Sequence, residues 1–175
     1  MLFRSSALTS LASLGGARVL VGARPEDAGW CRAAGAAEVV DYHDPDLRGR
    51  LRALAPDGVD LYVDTSGHLD LPAAVDLLAT RGRLVLLAGG GQRLTLPVGA
   101  LYTHDRRILG FVISLAGTGE LAEAAAVLNR RLAADGLPVR VRDSWPLDRA
   151  AEAHQAVERG LRGRLVLRVA PAIAA

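Results

Sequence analysis

Short apolar runs alternate along this chain with segments of helical periodicity, and no other feature constrains the fold as strongly. Parallel strands cannot be joined by a tight turn. The chain must cross a sheet face between them, so this alternation predicts a parallel sheet with helices on its faces. Arg18-Val19-Leu20-Val21-Gly22 predicts the first strand. Pro25 then opens a helix through Trp30 and Cys31, and Gly35 stops it. Glu38 to Tyr42 predicts a second strand, and Asp44-Pro45 caps and starts a helix with Leu47, Leu51 and Leu54 on one face. Val59 to Asp64 predicts a third strand, ending in the turn Thr65-Ser66-Gly67, and Leu71, Val75 and Leu78 mark the next helix. Arg83 to Leu87 and Arg107 to Ser114 predict two further strands, the former running into Ala88-Gly89-Gly90-Gly91. Thr118 is the expected cap of the longest helix, with Leu121, Ala125, Leu128 and Leu132 as its buried stripe and Gly136 as its end. Val139 to Arg142 alternates apolar and charged residues as a half-exposed strand does, and a helix over 147–159 and a strand over 165–169 complete the pattern.

A chain of 175 residues, half of them hydrophobic, is long enough to bury a core. The formal net charge is +2 with the basic residues scattered, which argues against nucleic acid or an acidic membrane surface as the partner. All 21 basic residues are Arg, the coding bias expected of a GC-rich bacterial genome. A single cysteine, Cys31, excludes an internal disulfide framework and a cysteine-rich zinc site, and fits a reducing cytoplasm. His43, His68, His104 and His154 fall in different predicted elements and form no ligand set, so no metal is expected. No Gly-x-Ser-x-Gly elbow supports a hydrolase. The opening MLFRSSALTSLASLGGA has a weak likeness to a signal or transit peptide, but fits better as a helix of the fold.

Three stretches resemble the medium-chain dehydrogenase/reductase superfamily, and within it the zinc-independent quinone oxidoreductase branch. GARVLVGARPEDAGWCRAAGAAEVVDY is similar to that family's second strand, the helix after it and its third strand. GVDLYVDTSG and RGRLVLLAGGG are similar to the fourth and fifth strands with their cofactor-side turns, and PLDRAAEAHQAVERGLRGRLVLRV to the carboxy-terminal signature. The likeness runs from about Leu8 to Ala170. It implies an α/β fold: an incomplete Rossmann-type, doubly wound parallel sheet in αβα layers, lacking its first strand and glycine-rich loop. The expected organisation is a partial NAD(P)-binding domain over 1–136 and, over 137–175, a segment that in relatives packs on a separate catalytic domain. The pattern G-x-G-x-x-G occurs nowhere in the sequence. That loop would bring backbone N–H groups and a helix N-terminus to the cofactor pyrophosphate, and its strand would sit centrally in the order 3-2-1-4-5-6. Without that strand its two neighbours carry unpaired edges. Either the edges close on each other, or residues 1–8 supply a substitute, or the chain is marginally folded.

The resemblance also points to site residues. Gly22 stands where NAD enzymes carry the acidic residue that holds the adenosine ribose, and Arg24 can pair with a 2′-phosphate there, so NADP(H) is the expected cofactor. A solvated arginine before a helix is the competing account. Tyr42 stands where relatives place a Tyr against the same phosphate, the alternative being an ordinary strand-end aromatic. Asp27 departs from the pattern, since relatives often have a Lys near this position, and Arg32 compensates only loosely. Thr65, Ser66 and Gly67, with Ala88, Gly89 and Gly90, are expected on the nicotinamide side, at the carboxyl ends of their strands. A plain strand-to-helix turn and a flexible loop are the alternatives there. Arg164, in the pair Gly163-Arg164, is expected near the cofactor phosphate.

No catalytic residue is assigned. The resemblance implies an NADPH-dependent oxidoreductase that passes hydride to a quinone, enone or carbonyl, with the chain as its cofactor-binding part. Its implied partners are a small-molecule substrate, a separate catalytic domain and a second copy joined through the Ile108–Ser114 strand, with no nucleic acid or membrane. A non-catalytic nucleotide-binding or interaction module and a fragment of a zinc-dependent alcohol dehydrogenase are the alternatives.

Overall fold

The computed structural model describes residues 3–134, 136–161 and 163–169. The elements run α1 (Phe3–Leu14), β1 (Leu20–Ala23), α2 (Ala28–Ala33), β2 (Glu38–Asp41), α3 (Leu47–Leu54), β3 (Val59–Asp64), α4 (Leu71–Leu77) and β4 (Leu78–Leu86). They continue through α5 (Val98–Tyr102), β5 (Arg107–Gly110), α6 (Thr118–Ala134), β6 (Val141–Pro146), α7 (Ala150–Glu158) and β7 (Arg164–Arg168). Every strand pairing among the described residues is parallel, so the fold is the α/β type read from the alternation.

The strands form three sheets rather than one: β1-β2, β3-β4-β5 and β6-β7. The first two are the pairings expected on either side of a central strand that the described residues do not include. Among the described residues their facing strands do not close on each other: β1 pairs with β2, and β3 with β4. Nor do residues 3–8 substitute, because they lie in the helix Phe3–Leu14; residues 1 and 2 lie outside the described residues. The two halves are instead linked from the side. Arg18, just before β1, donates to the Leu54 carbonyl at 2.7 Å, and α3 packs against both β2 and α4. The exposed face of α3 ties to α4 through an Arg48–Asp76 ion pair.

The larger core lies under α4, where Leu69, Leu71, Ala74, Val75, Leu78 and Leu84 are buried against Val59, Tyr62, Leu86, Ala100 and Ile108. Each fully buried aliphatic side chain there stabilises the fold by about 1.5–3 kcal/mol. Asp70 caps α4 by accepting from the Ala73 N–H at 3.1 Å. The helix ends one residue earlier than expected, so Leu78 opens β4 instead. The Arg106 guanidinium explains the change: it donates to the Leu78 carbonyl at 2.5 Å and to that of Ala79 at 3.3 Å, giving both a partner outside any helix.

The smaller core joins Val21, Ala23, Cys31 and Ala36, with Val19 and Val39 packed on it. Burial pushes the Cys31 thiol pKa up. α1 docks beside it through buried Thr9, and a Cβ on Gly35 would lie 2.7 Å from Ser13 Cβ. Gly35 also takes φ +101°, so the turn that stops α2 requires glycine twice over.

Further expectations are corrected. Asp44 does not cap α3, which starts at Leu47; its carboxylate accepts from the Asp46 N–H and from Arg50 instead. The strand expected over 107–114 stops at Gly110, because β4 ends at Leu86; Phe111 N–H takes the last carbonyl, at 3.3 Å, and a 3₁₀ turn follows at Ile113–Leu115. Gly117, not Thr118, caps α6: its carbonyl accepts the first helical bond from Leu121, and its N–H donates to the Glu120 carboxylate at 2.8 Å. The stripe of α6 is not buried either. Leu121, Ala125 and Leu132 are exposed and Leu128 is half-buried. The strand expected over 139–142 lies further on, where Val141–Pro146 finds its partner in β7.

Candidate functional site

The sequence-expected residues fall into two groups. One gathers around a cavity of about 450 Å³ whose lining includes Arg24, Asp27, Trp30, Tyr42, Arg140, Gly163 and Arg164. Two crossings build it. β1 runs into an extended Arg24, and the turn at Pro25–Asp27 aims Asp27 inward. The chain then passes through α2 to β2, whose end presents Tyr42. Arg24 Nε donates to the Tyr42 hydroxyl at 2.8 Å. That bond raises the Arg24 pKa further above its already high value, so the guanidinium charge is fixed. Gly22 sits beside the pair, where an added Cβ would rest 3.7 Å from Tyr42 Cβ. No carboxylate on β1 competes for the arginine.

The other wall comes from the far end of the chain. The Arg164 N–H donates to the Arg140 carbonyl at 3.1 Å, holding the starts of β6 and β7 together at the cavity. Arg140 Nη1 then reaches Asp27 Oδ1 at 2.6 Å, and its guanidinium carbon lies 6.0 Å from the centre of the Trp30 ring. The Asp27 side chain is only 5% exposed, against 48% for Arg140. A carboxylate so buried needs a cation, and Arg140 supplies it. Sequence reasoning missed Arg140 and Trp30. The one available signal was Asp27, an acid at a position expected to be basic, but its partner is 113 residues away.

The second group is the pair of strand-end turns. Asp64, buried at the end of β3, accepts from the Ser66 hydroxyl at 2.7 Å and from the Ser66 and Gly67 N–H groups at 3.2 Å. This fixes the Thr65-Ser66-Gly67 turn against the loop after β4: a Cβ on Gly67 would stand 3.1 Å from the Gly89 nitrogen and 3.5 Å from Ala88 Cβ. Gly67 has φ +74° as well, so two backbones meet here where a side chain would not fit. Gly90, on the same loop, is exposed and open. None of these residues lines the arginine cavity. Arg32 does not line it either.

Among the described residues no three or more His, Cys, Asp or Glu side chains come together to hold a metal ion, and no helix is long and apolar enough to cross a membrane.

Parallel strands with helices between them, an arginine-lined cavity at one cluster of element ends and a backbone-lined pair of turns at another belong to the open α/β class, in which ligands bind outside the carboxyl ends of strands. The family is direct: residues 5–130 match the model of the zinc-binding dehydrogenase family, and the chain belongs to it. Solved structures agree. The quinone oxidoreductase from Thermus thermophilus, also solved with NADPH, is 29% identical with a TM-score of 0.77, over 94% of this chain and 54% of its own. A mycobacterial protein complexed with NADPH is 27% identical with a TM-score of 0.78, over 95% and 53%. An NAD-dependent alcohol dehydrogenase is 29% identical with a TM-score of 0.77, over 95% and 48%. The chain thus spans about half the length of these structures. No curated protein matches it.

Proposed function

We propose that this chain is the NADPH-binding part of a medium-chain reductase that passes hydride to a quinone, enone or carbonyl. The observation that carries the reading is the convergence of Arg24, Tyr42 and Arg164 on one cavity beside Gly22. A ribose 2′-phosphate is a near-dianion at neutral pH, and guanidinium groups bind it with charge-assisted hydrogen bonds. The proteins solved with NADPH support the same choice. The Thr65-Ser66-Gly67 and Ala88-Gly89-Gly90 turns, where backbones approach closely, are the proposed nicotinamide side.

When bound, NADPH would supply the hydride; the residues here would orient its two ends. A piece of a zinc-dependent alcohol dehydrogenase is the less favoured reading, given Gly22 on β1 and the quinone-reductase-like stretch PLDRAAEAHQAVERGLRGRLVLRV. Residues 1–136 form the proposed cofactor part, and 137–175 the part that meets a catalytic domain. The stretch Ile108–Ser114, in which Leu109, Phe111, Val112 and Ile113 are exposed, is the proposed contact with a second copy of the chain.

Replacing Arg24 with Gln tests the reading. It should weaken NADPH binding by about tenfold and NADH binding by less than about twofold. Tyr42→Phe should cost NADPH only about threefold, since it removes one neutral partner of Arg24. Equal losses for both nucleotides would overturn the phosphate assignment. NADPH binding without turnover of any quinone when the separate catalytic domain is supplied would instead assign a non-catalytic binding module.

A further inference from the structure

Arg140 belongs to no element that the sequence pattern linked to a nucleotide, yet its guanidinium is held in the cavity from two sides. Its Nη1 is anchored on buried Asp27 and its plane is backed by Trp30. Its carbonyl is tied to the Arg164 N–H. A guanidinium carries five N–H donors, and binding Asp27 through one nitrogen leaves the rest of the fork available. Because Asp27 already holds the side chain, little rotamer entropy remains to be lost when a ligand binds. Among the described residues the cavity lining combines three arginines, Arg24, Arg140 and Arg164, with one acid, Asp27. That excess of positive charge suits a phosphate dianion better than a neutral ribose.

We infer that Arg140 is a specificity-determining residue for the ribose 2′-phosphate, carried by the carboxy-terminal segment and set in place by Asp27. The inference rests on the nucleotide reading above and adds a consequence to it. Asp27, Arg24 and Tyr42 come from the amino-terminal crossings, whereas Arg140 and Arg164 come from beyond α6. A 2′-phosphorylated nucleotide would bridge the two parts of the chain, and a nucleotide lacking that phosphate would not.

Calorimetric titration of the full chain with adenosine 2′,5′-bisphosphate and with adenosine 5′-monophosphate tests it. The unmodified chain should prefer the bisphosphate. Arg140→Gln should reduce bisphosphate affinity by about tenfold and monophosphate affinity by less than about twofold. Arg142→Gln removes the same charge two residues on, outside the cavity lining, and should change neither by more than about twofold. An unchanged preference in Arg140→Gln, or an equal loss in Arg142→Gln, overturns the assignment. If the unmodified chain shows no preference at all, the nucleotide reading itself fails. Should Arg140→Gln not fold, hydrogen exchange on the unmodified chain decides the matter. The bisphosphate, and not the monophosphate, should slow the Val141 and Arg164 amides, and equal rates with both ligands overturn the inference.

Discussion

The region over 59–110 and the region over 118–169 have similar sequence patterns and opposite packing. In the first, α4 lies on β3 and β4, and Val75, Leu78 and Leu84 are at most 1% exposed. In the second, α6 buries no residue and Leu132 is 55% exposed, while α7 buries only Ala153. Amphipathic periodicity is present in both. The difference is that α4 has a three-stranded sheet beneath it, whereas α6 packs closely on no described element. Periodicity states which face of a helix is apolar, not whether anything covers it.

The largest test of that contrast is a pair of leucine truncations. Leu84→Ala should destabilise the chain by about 2–5 kcal/mol, from lost burial and the cavity left behind. Leu132→Ala should stay within about 0.5 kcal/mol, as exposed substitutions do. Urea unfolding followed by circular dichroism measures both. Equal costs would mean that α6 is covered in solution.

A pair of glycine substitutions sharpens the contrast. Gly35→Ala should destabilise by about 1–3 kcal/mol, because a left-handed backbone and Ser13 both oppose a Cβ. Gly119→Ala, in the first turn of α6 with nothing within 4 Å, should be neutral or stabilise by up to about 1 kcal/mol. Thermal midpoints should fall for Gly35→Ala and hold or rise for Gly119→Ala. A Gly35→Ala midpoint that does not fall would undo the docking of α1.

The smallest effect is electrostatic and belongs to the surface of the amino-terminal half. Arg50 and then the Asp46 N–H hold the Asp44 carboxyl below the usual carboxylate range. A folded pKa below the unfolded one stabilises above the unfolded value and is lost as pH falls through the folded value. Asp44→Asn should therefore lower the thermal midpoint slightly at neutral pH. The difference should shrink below about pH 4, as the unmodified carboxyl becomes protonated first in the unfolded and then in the folded state.

The sequence patterns that survived are local ones. β3 occupies Val59–Asp64 as read, Gly35 ends α2 through its own backbone conformation, and the helix after Pro146 forms as expected. What was illegible depends on partners distant in sequence. The split into three sheets depends on which strands find neighbours, and β5 stops where β4 stops. The site divides the same way. Arg24, Tyr42 and Arg164 were expected together from the shared pattern, and they line one cavity. Arg140 was not expected, because its pairing arises only when the acid at Asp27 is buried against a distant segment.

Fluorescence titration of the full chain with NADPH and, separately, with NADH tests the account most directly. The arginine cavity predicts saturable binding with at least about tenfold preference for NADPH, as one charge-assisted phosphate contact would give. Equal affinities, or tighter binding of NADH, would contradict the assignment of that cavity to the 2′-phosphate.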